Sequence, residues 1–180
     1  WSIASDGTVS VNSTTYKEGT GSLNLTKTGT SGTVIVASKT TSSLDFTDKE
    51  FSIWTYIHST ILSSLAGTAS VEVRFGSDSS NYYYWQKNQS DLISGWNLID
   101  QLTSSNADGT EGTPSLAAMD YTAIKLMTSG TSTVWSAGSA IVDDIKLISS
   151  DDYTKTFETD YPAFDYNAMK VTIRGRINSI

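Results

Sequence analysis

The chain has 180 residues, 38% of them hydrophobic and 17% charged, with 13 glycines, two prolines and an aromatic share of 11%. That is enough for one sandwich-sized domain with its own core, and with Ser and Thr making up about 30% of the residues it excludes coiled coils, collagen and disordered chains. A net charge of -7 with no Lys/Arg cluster argues against a nucleic-acid partner, and the absence of cysteine excludes disulfides, thiolate zinc sites and cysteine nucleophiles.

Most of the sequence alternates with period two, the pattern of strands with one buried and one solvated face. The first expected strands are 22–27 and 33–38. Next comes 51–58, in which Phe51, Ile53, Thr55 and Ile57 form one face and Ser52, Trp54, Tyr56 and His58 the other. A short helical turn is expected at 59–65. In the following strand Val71, Val73 and Phe75 oppose Glu72 and Arg74. Further strands are expected at 82–87, 96–102, 122–128 and 140–148, with one more helical turn at 114–119. Clusters of Gly, Ser, Asn and Asp bound these segments and suit tight turns. The sum is an all-β fold, an antiparallel two-sheet β-sandwich over 1–148.

Beyond it, Ser149-Ser150-Asp151-Asp152 opens a stretch carrying Glu158, Asp160 and Asp165 against Lys155 alone, which reads as an acidic linker over 149–168. Met169, Val171 and Ile173 then alternate with Lys170, Thr172 and Arg174, an extra strand at 169–180 or the start of a next domain. A lone strand is not stable in water, so 166–180 is expected to meet the sandwich, a neighbouring subunit or a following domain. The sequence opens at Trp1, which suggests a processed chain or a slice of a longer one. No apolar run approaches the roughly 20 residues that cross a bilayer, so no membrane insertion is expected.

Three spaced segments carry a resemblance: Tyr16-Lys17-Glu18-Gly19-Thr20-Gly21-Ser22-Leu23-Asn24-Leu25, Gly95-Trp96-Asn97-Leu98, and Ile141-Val142-Asp143-Asp144-Ile145-Lys146-Leu147. In this order and spacing the chain resembles the galactose-binding-like jelly rolls, a β-sandwich group that includes many non-catalytic carbohydrate-binding modules of secreted glycoside hydrolases. The resemblance implies a structural Ca2+ at the sandwich edge, held by backbone carbonyls near Gly21 and by Asp143; such an ion wants six to eight oxygens. It also implies a first strand upstream of Trp1 that would supply a further ligand. Asp143 and Asp144 read equally well as a solvated strand end. The stretch 169–176 resembles connecting segments of bacteriophage structural proteins, from tail fibres or capsid decoration.

Among the chemistry-bearing residues, the block Asn81-Tyr82-Tyr83-Tyr84-Trp85-Gln86 stands out. Sugar rings stack their C–H faces on Trp and Tyr while their hydroxyls need polar groups at the rim. If the polar faces of neighbouring strands align, Trp54, Tyr56, Glu72, Arg74, Tyr83 and Trp85 form one ligand-binding surface. The competing reading places Trp54 and Trp85 in the core, as is expected for Trp96. His58, the single histidine, has no serine or carboxylate at triad spacing, and nothing selects a catalytic pair among Glu50, Glu72, Asp100 and Glu111. The expectation is a non-catalytic glycan-binding or adhesion module of a larger extracellular or virion-surface protein. A purely structural virion decoration or fibre domain is the alternative, and a glycoside hydrolase the third.

Overall fold

A computed structural model describes residues 1–4, 6–30, 32–131, 134–135 and 138–149. The expected linker over 149–168, apart from Ser149 which ends a strand, the strand at 169–180 and the stretch that resembles bacteriophage proteins lie outside these residues. Among the described residues eleven strands run in chain order: β1 (Ser2–Ala4), β2 (Gly7–Asn12), β3 (Ser22–Lys27), β4 (Val34–Leu44), β5 (Lys49–Ile57), β6 (Val71–Asp78), β7 (Asn81–Lys87), β8 (Gly95–Leu102), β9 (Gly109–Glu111), β10 (Met119–Met127) and β11 (Ala140–Ser149). They form a six-stranded sheet in the order β1-β4-β10-β6-β7-β9 and a five-stranded sheet in the order β2-β3-β11-β5-β8. Every pairing is antiparallel. This is the antiparallel two-sheet sandwich that the alternation anticipated, of the jelly-roll kind that the resemblance implied.

The two sheets join through aromatic contacts between their inner faces. Phe51 of β5 stacks on Phe75 of β6, with centroids 4.7 Å apart and planes 10° apart. Phe46 meets Phe75 edge-on at 5.1 Å and Trp85 at 6.3 Å. Around them Ile53, Ile57, Val71, Val73, Ile124 and Leu126 are fully enclosed. Burial of such side chains contributes about 1.5–3 kcal/mol each. Phe51, Ile53, Thr55 and Ile57 thus point inward as their alternation requires, and Trp54 and Tyr56 outward and half-buried.

Three strands had no signal in the alternation. β1 and β9 are three-residue edge strands, and β2 exposes Thr8 and Ser10, so none offers the apolar stripe that marks a half-buried strand. The outer half of β4, 39–44, is likewise exposed and, Leu44 apart, polar. Where a helical turn was expected at 114–119, the chain makes a simple turn and Met119 already opens β10, fully buried. A turn does form after β5, the short helix α1 (Ser59–Leu62). His58 caps it, its side chain accepting from the Thr60 N–H, which satisfies one of the donors a helix start leaves free. The stretch 58–70 carries the chain from the five-stranded sheet to the six-stranded one, and this crossing decides which residues can meet.

Candidate functional site

β5 and β6 lie in different sheets, so their polar faces look away from each other across the sandwich. Trp54 and Tyr56 belong to one outer surface, Glu72 and Arg74 to the other. The single surface expected from the sequence is therefore split. Tyr83 and Trp85 leave it altogether. In β7 they sit in register opposite Phe75 and Val73, inward-facing residues, and Trp85 is buried in the core with Tyr83 packed beside it. The Trp85 ring N–H donates to Asn106 Oδ1 at 2.9 Å. These two residues are corrected from ligand-binding to core positions: period two in β7 is right, but its phase is inverted.

With that phase, Tyr82, Tyr84 and Gln86 take the outer side of the six-stranded sheet, Tyr84 and Gln86 half-buried and Tyr82 buried. Register builds three rows across it. Glu111, Tyr82, Gly76, Tyr121 and Thr40 make the first; Gly109, Tyr84, Arg74, Ala123 and Ser38 the second; Gln86, Glu72, Lys125 and Val36 the third. Gly76, lacking a side chain, lets the Tyr82 and Tyr121 rings approach to 6.0 Å across β6. Tyr84 lies 6.4 Å from Tyr82, its ring over Gly109, where a methyl group would overlap it. The Arg74 guanidinium stands 4.7 Å from the Tyr82 ring centroid. Tyr82, Tyr121 and Ala123, with Val36 and Tyr84 against them, form an apolar cluster separate from the main core.

Glu72 organises the charges of this surface. Its Oε1 accepts from Arg74 Nε at 2.7 Å, and its Oε2 accepts from Gln86 at 2.8 Å and from Lys125 at 3.3 Å. Burial disfavours the Glu72 charge, but the bonds from Gln86 and Arg74, together with the positive charges of Arg74 and Lys125, outweigh it and hold the carboxyl below its usual 4.5. Arg74 is shifted the other way: burial works against its charge, and the Glu72 bond and charge overcome that and raise it. Because Glu72 is depressed on folding, its stabilisation is present above pH 4.5 and lost as pH falls through its folded value. Stability followed by circular dichroism is expected to fall more steeply below pH 4.5 in wild type than in Glu72→Gln, which lacks this contribution.

On the opposite surface, Trp54 lies in register between Asp143 of β11 and Leu98 of β8, and Tyr56 between Ile141 and Trp96. Trp96 is half-buried on this outer face rather than in the core, its ring 6.4 Å from Trp54 and 5.4 Å from Tyr56. Asp143 ties down the loop between β2 and β3: its Oδ2 accepts from the Lys17 N–H at 2.6 Å and the Glu18 N–H at 3.0 Å. Lys146 pairs with Glu18 at 2.9 Å and with Asp144 at 2.7 Å.

These partners do not suit calcium between Gly21 and Asp143. A hard cation needs converging oxygens, whereas two amide N–H groups converge on Asp143 Oδ2, and the neighbouring Glu18 and Asp144 carboxylates share the Lys146 ammonium. Among the described residues no group of three or more His, Cys, Asp or Glu side chains is placed to hold a metal. Asp143→Ala is expected to cost about 1–3 kcal/mol through the lost charged hydrogen bonds, with an equal fall in melting temperature in calcium and in chelator. A loss confined to calcium would restore Asp143 as a ligand.

No family model and no curated protein matches the chain. Among solved structures the fold is similar to a family 11 carbohydrate-binding module from Clostridium thermocellum in complex with a β-1,3-1,4-mixed-linked tetrasaccharide, with TM-score 0.53 and 15% identity over 82% of this chain and 86% of that one. It is also similar to a structure described as giving the basis for promiscuous specificity of carbohydrate-binding modules from the β-sandwich superfamily, with TM-score 0.56 and 13% identity over 82% of this chain and 56% of that one. The described residues therefore have the jelly-roll fold found in carbohydrate-binding modules. Among them, no helix is long and apolar enough to cross a membrane.

Proposed function

We propose that the chain is a non-catalytic glycan-binding module and that the outer face of the six-stranded sheet receives the sugar. The observation that carries this reading is the half-buried Tyr84 beside Arg74, Gln86 and Lys125, backed by the buried rings of Tyr82 and Tyr121. Pyranose rings need aromatic surface for their C–H faces and fixed donors and acceptors for their hydroxyls. Glu72 fixes those donors. It engages Arg74 through Nε, Arg74 also bonds the Tyr121 side chain, and the carboxylate holds Gln86 and Lys125 beside them. Ordering these side chains in advance lowers what binding must pay in side-chain entropy.

The same network argues against hydrolysis here. The one buried carboxylate of this face is held charged by its three partners, the opposite of a general acid that needs a raised pKa. A polysaccharide ligand would place the protein outside the cell. Electrophoresis through gels containing soluble polysaccharides tests the reading: retardation that Tyr84→Ala removes supports it, and free migration in every polysaccharide overturns it.

A further inference from the structure

The opposite outer face carries a second aromatic platform that the first site does not use. Trp54 and Trp96 meet at 90° and Tyr56 packs on Trp96 at 72°, so the group presents both ring faces and ring edges. Leu98 and Ile93, 43% and 63% exposed, extend it toward a groove of about 250 Å³ that Trp96, Asn97 and Ile99 also line. The Lys17 ammonium stands on this platform, 3.9 Å from the Trp54 ring centroid and 5.6 Å from that of Trp96.

We propose that Trp54, Tyr56 and Trp96 form a second sugar-stacking site, and that Lys17 gates it as a tethered competitor. The inference rests on the reading that the chain binds glycans. An indole face attracts positive charge through its quadrupole, and the C–H groups of a neutral pyranose carry partial positive charge that seeks the same place as the ammonium. The gate can open without disturbing the fold. It is the Lys17 backbone that anchors the loop, through its N–H to Asp143, whereas the side chain is exposed and can swing between rotamers in picoseconds to nanoseconds. Two platforms on opposite faces let one module engage two polysaccharide chains, which raises avidity when sugars are dense.

The test uses the full chain with mixed-linkage β-1,3-1,4-glucan as probe, read by gel retardation and by calorimetric stoichiometry, with a thermal melt for each variant. Lys17→Ala is expected to tighten binding at the second site about two- to fivefold, the range of an exposed cation–π contact, while Lys17→Arg, which keeps the cation, leaves it closed. Adding Trp54→Ala to Lys17→Ala is expected to abolish the gain. If Lys17→Ala changes neither affinity nor stoichiometry, the gate does not exist. Placing both changes in a Tyr84→Ala background separates the two sites. Loss of all binding with Tyr84→Ala, whatever occupies position 17, overturns the second site and leaves the first. Binding that survives Tyr84→Ala and disappears with Trp54→Ala supports the second and overturns the first, and no binding by any variant overturns both.

Discussion

Trp85→Ala is expected to lower stability by about 3–5 kcal/mol, which for a domain of this size corresponds to a fall in melting temperature of about 10 °C or more. The indole is only 4% exposed, Phe46 meets it edge-on, and its N–H is bonded to Asn106. Truncation opens a cavity between the sheets and removes a donor from Asn106, whose Oδ1 also accepts from the Thr103 N–H. Trp54→Ala, by contrast, removes a half-buried ring from an outer face and is expected to cost about 1 kcal/mol. Two tryptophans on strands of similar pattern thus separate by several-fold in a thermal melt. Equal losses would mean that the β7 phase, and the outward direction of Tyr82 and Tyr84 with it, is wrong.

The second large effect falls on binding. Tyr84→Ala is expected to weaken glycan binding at the six-stranded face at least tenfold, the scale on which truncating an aromatic anchor acts, with the melting temperature within a few degrees of wild type. Tyr84 is half-buried and lies over Gly109, outside the main core, so its removal leaves no internal cavity. Tyr83→Ala provides the contrast: its ring packs against the core, and its loss is expected to lower stability while sparing affinity in the folded protein.

The features legible in the sequence were those set by alternation within one strand. In β5, Phe51, Ile53 and Ile57 share one parity and fix which side is buried, and Trp54 and Tyr56 go to the other. β6 reads equally well, with Val71, Val73 and Phe75 inward. In β7 the rule fails because Tyr82, Tyr83, Tyr84 and Trp85 are all large and aromatic, so alternation has no polar set to mark the outside. Gln86 shares parity with Tyr82 and Tyr84 and marks the solvated side, but Lys87 shares parity with Trp85 and cancels that signal. Sheet membership was hidden for a different reason. Whether β5 and β6 are neighbours depends on where 58–70 leads the chain, and no local pattern encodes the crossing. Asp143 shows a third limit: a short motif names the residue, whereas the amides of Lys17 and Glu18 that meet it come from a loop far away in sequence.

The most direct measurement of the central claim is the change in backbone amide NMR shifts as a soluble mixed-linkage β-glucan oligosaccharide is titrated into the full chain. Shifts that grow with ligand at Glu72, Arg74, Tyr82, Tyr84, Gln86, Tyr121 and Lys125, three adjacent strands of one outer face, are the predicted result. A titration that moves amides only elsewhere in the sandwich, with those of β6, β7 and β10 unchanged at saturation, contradicts it.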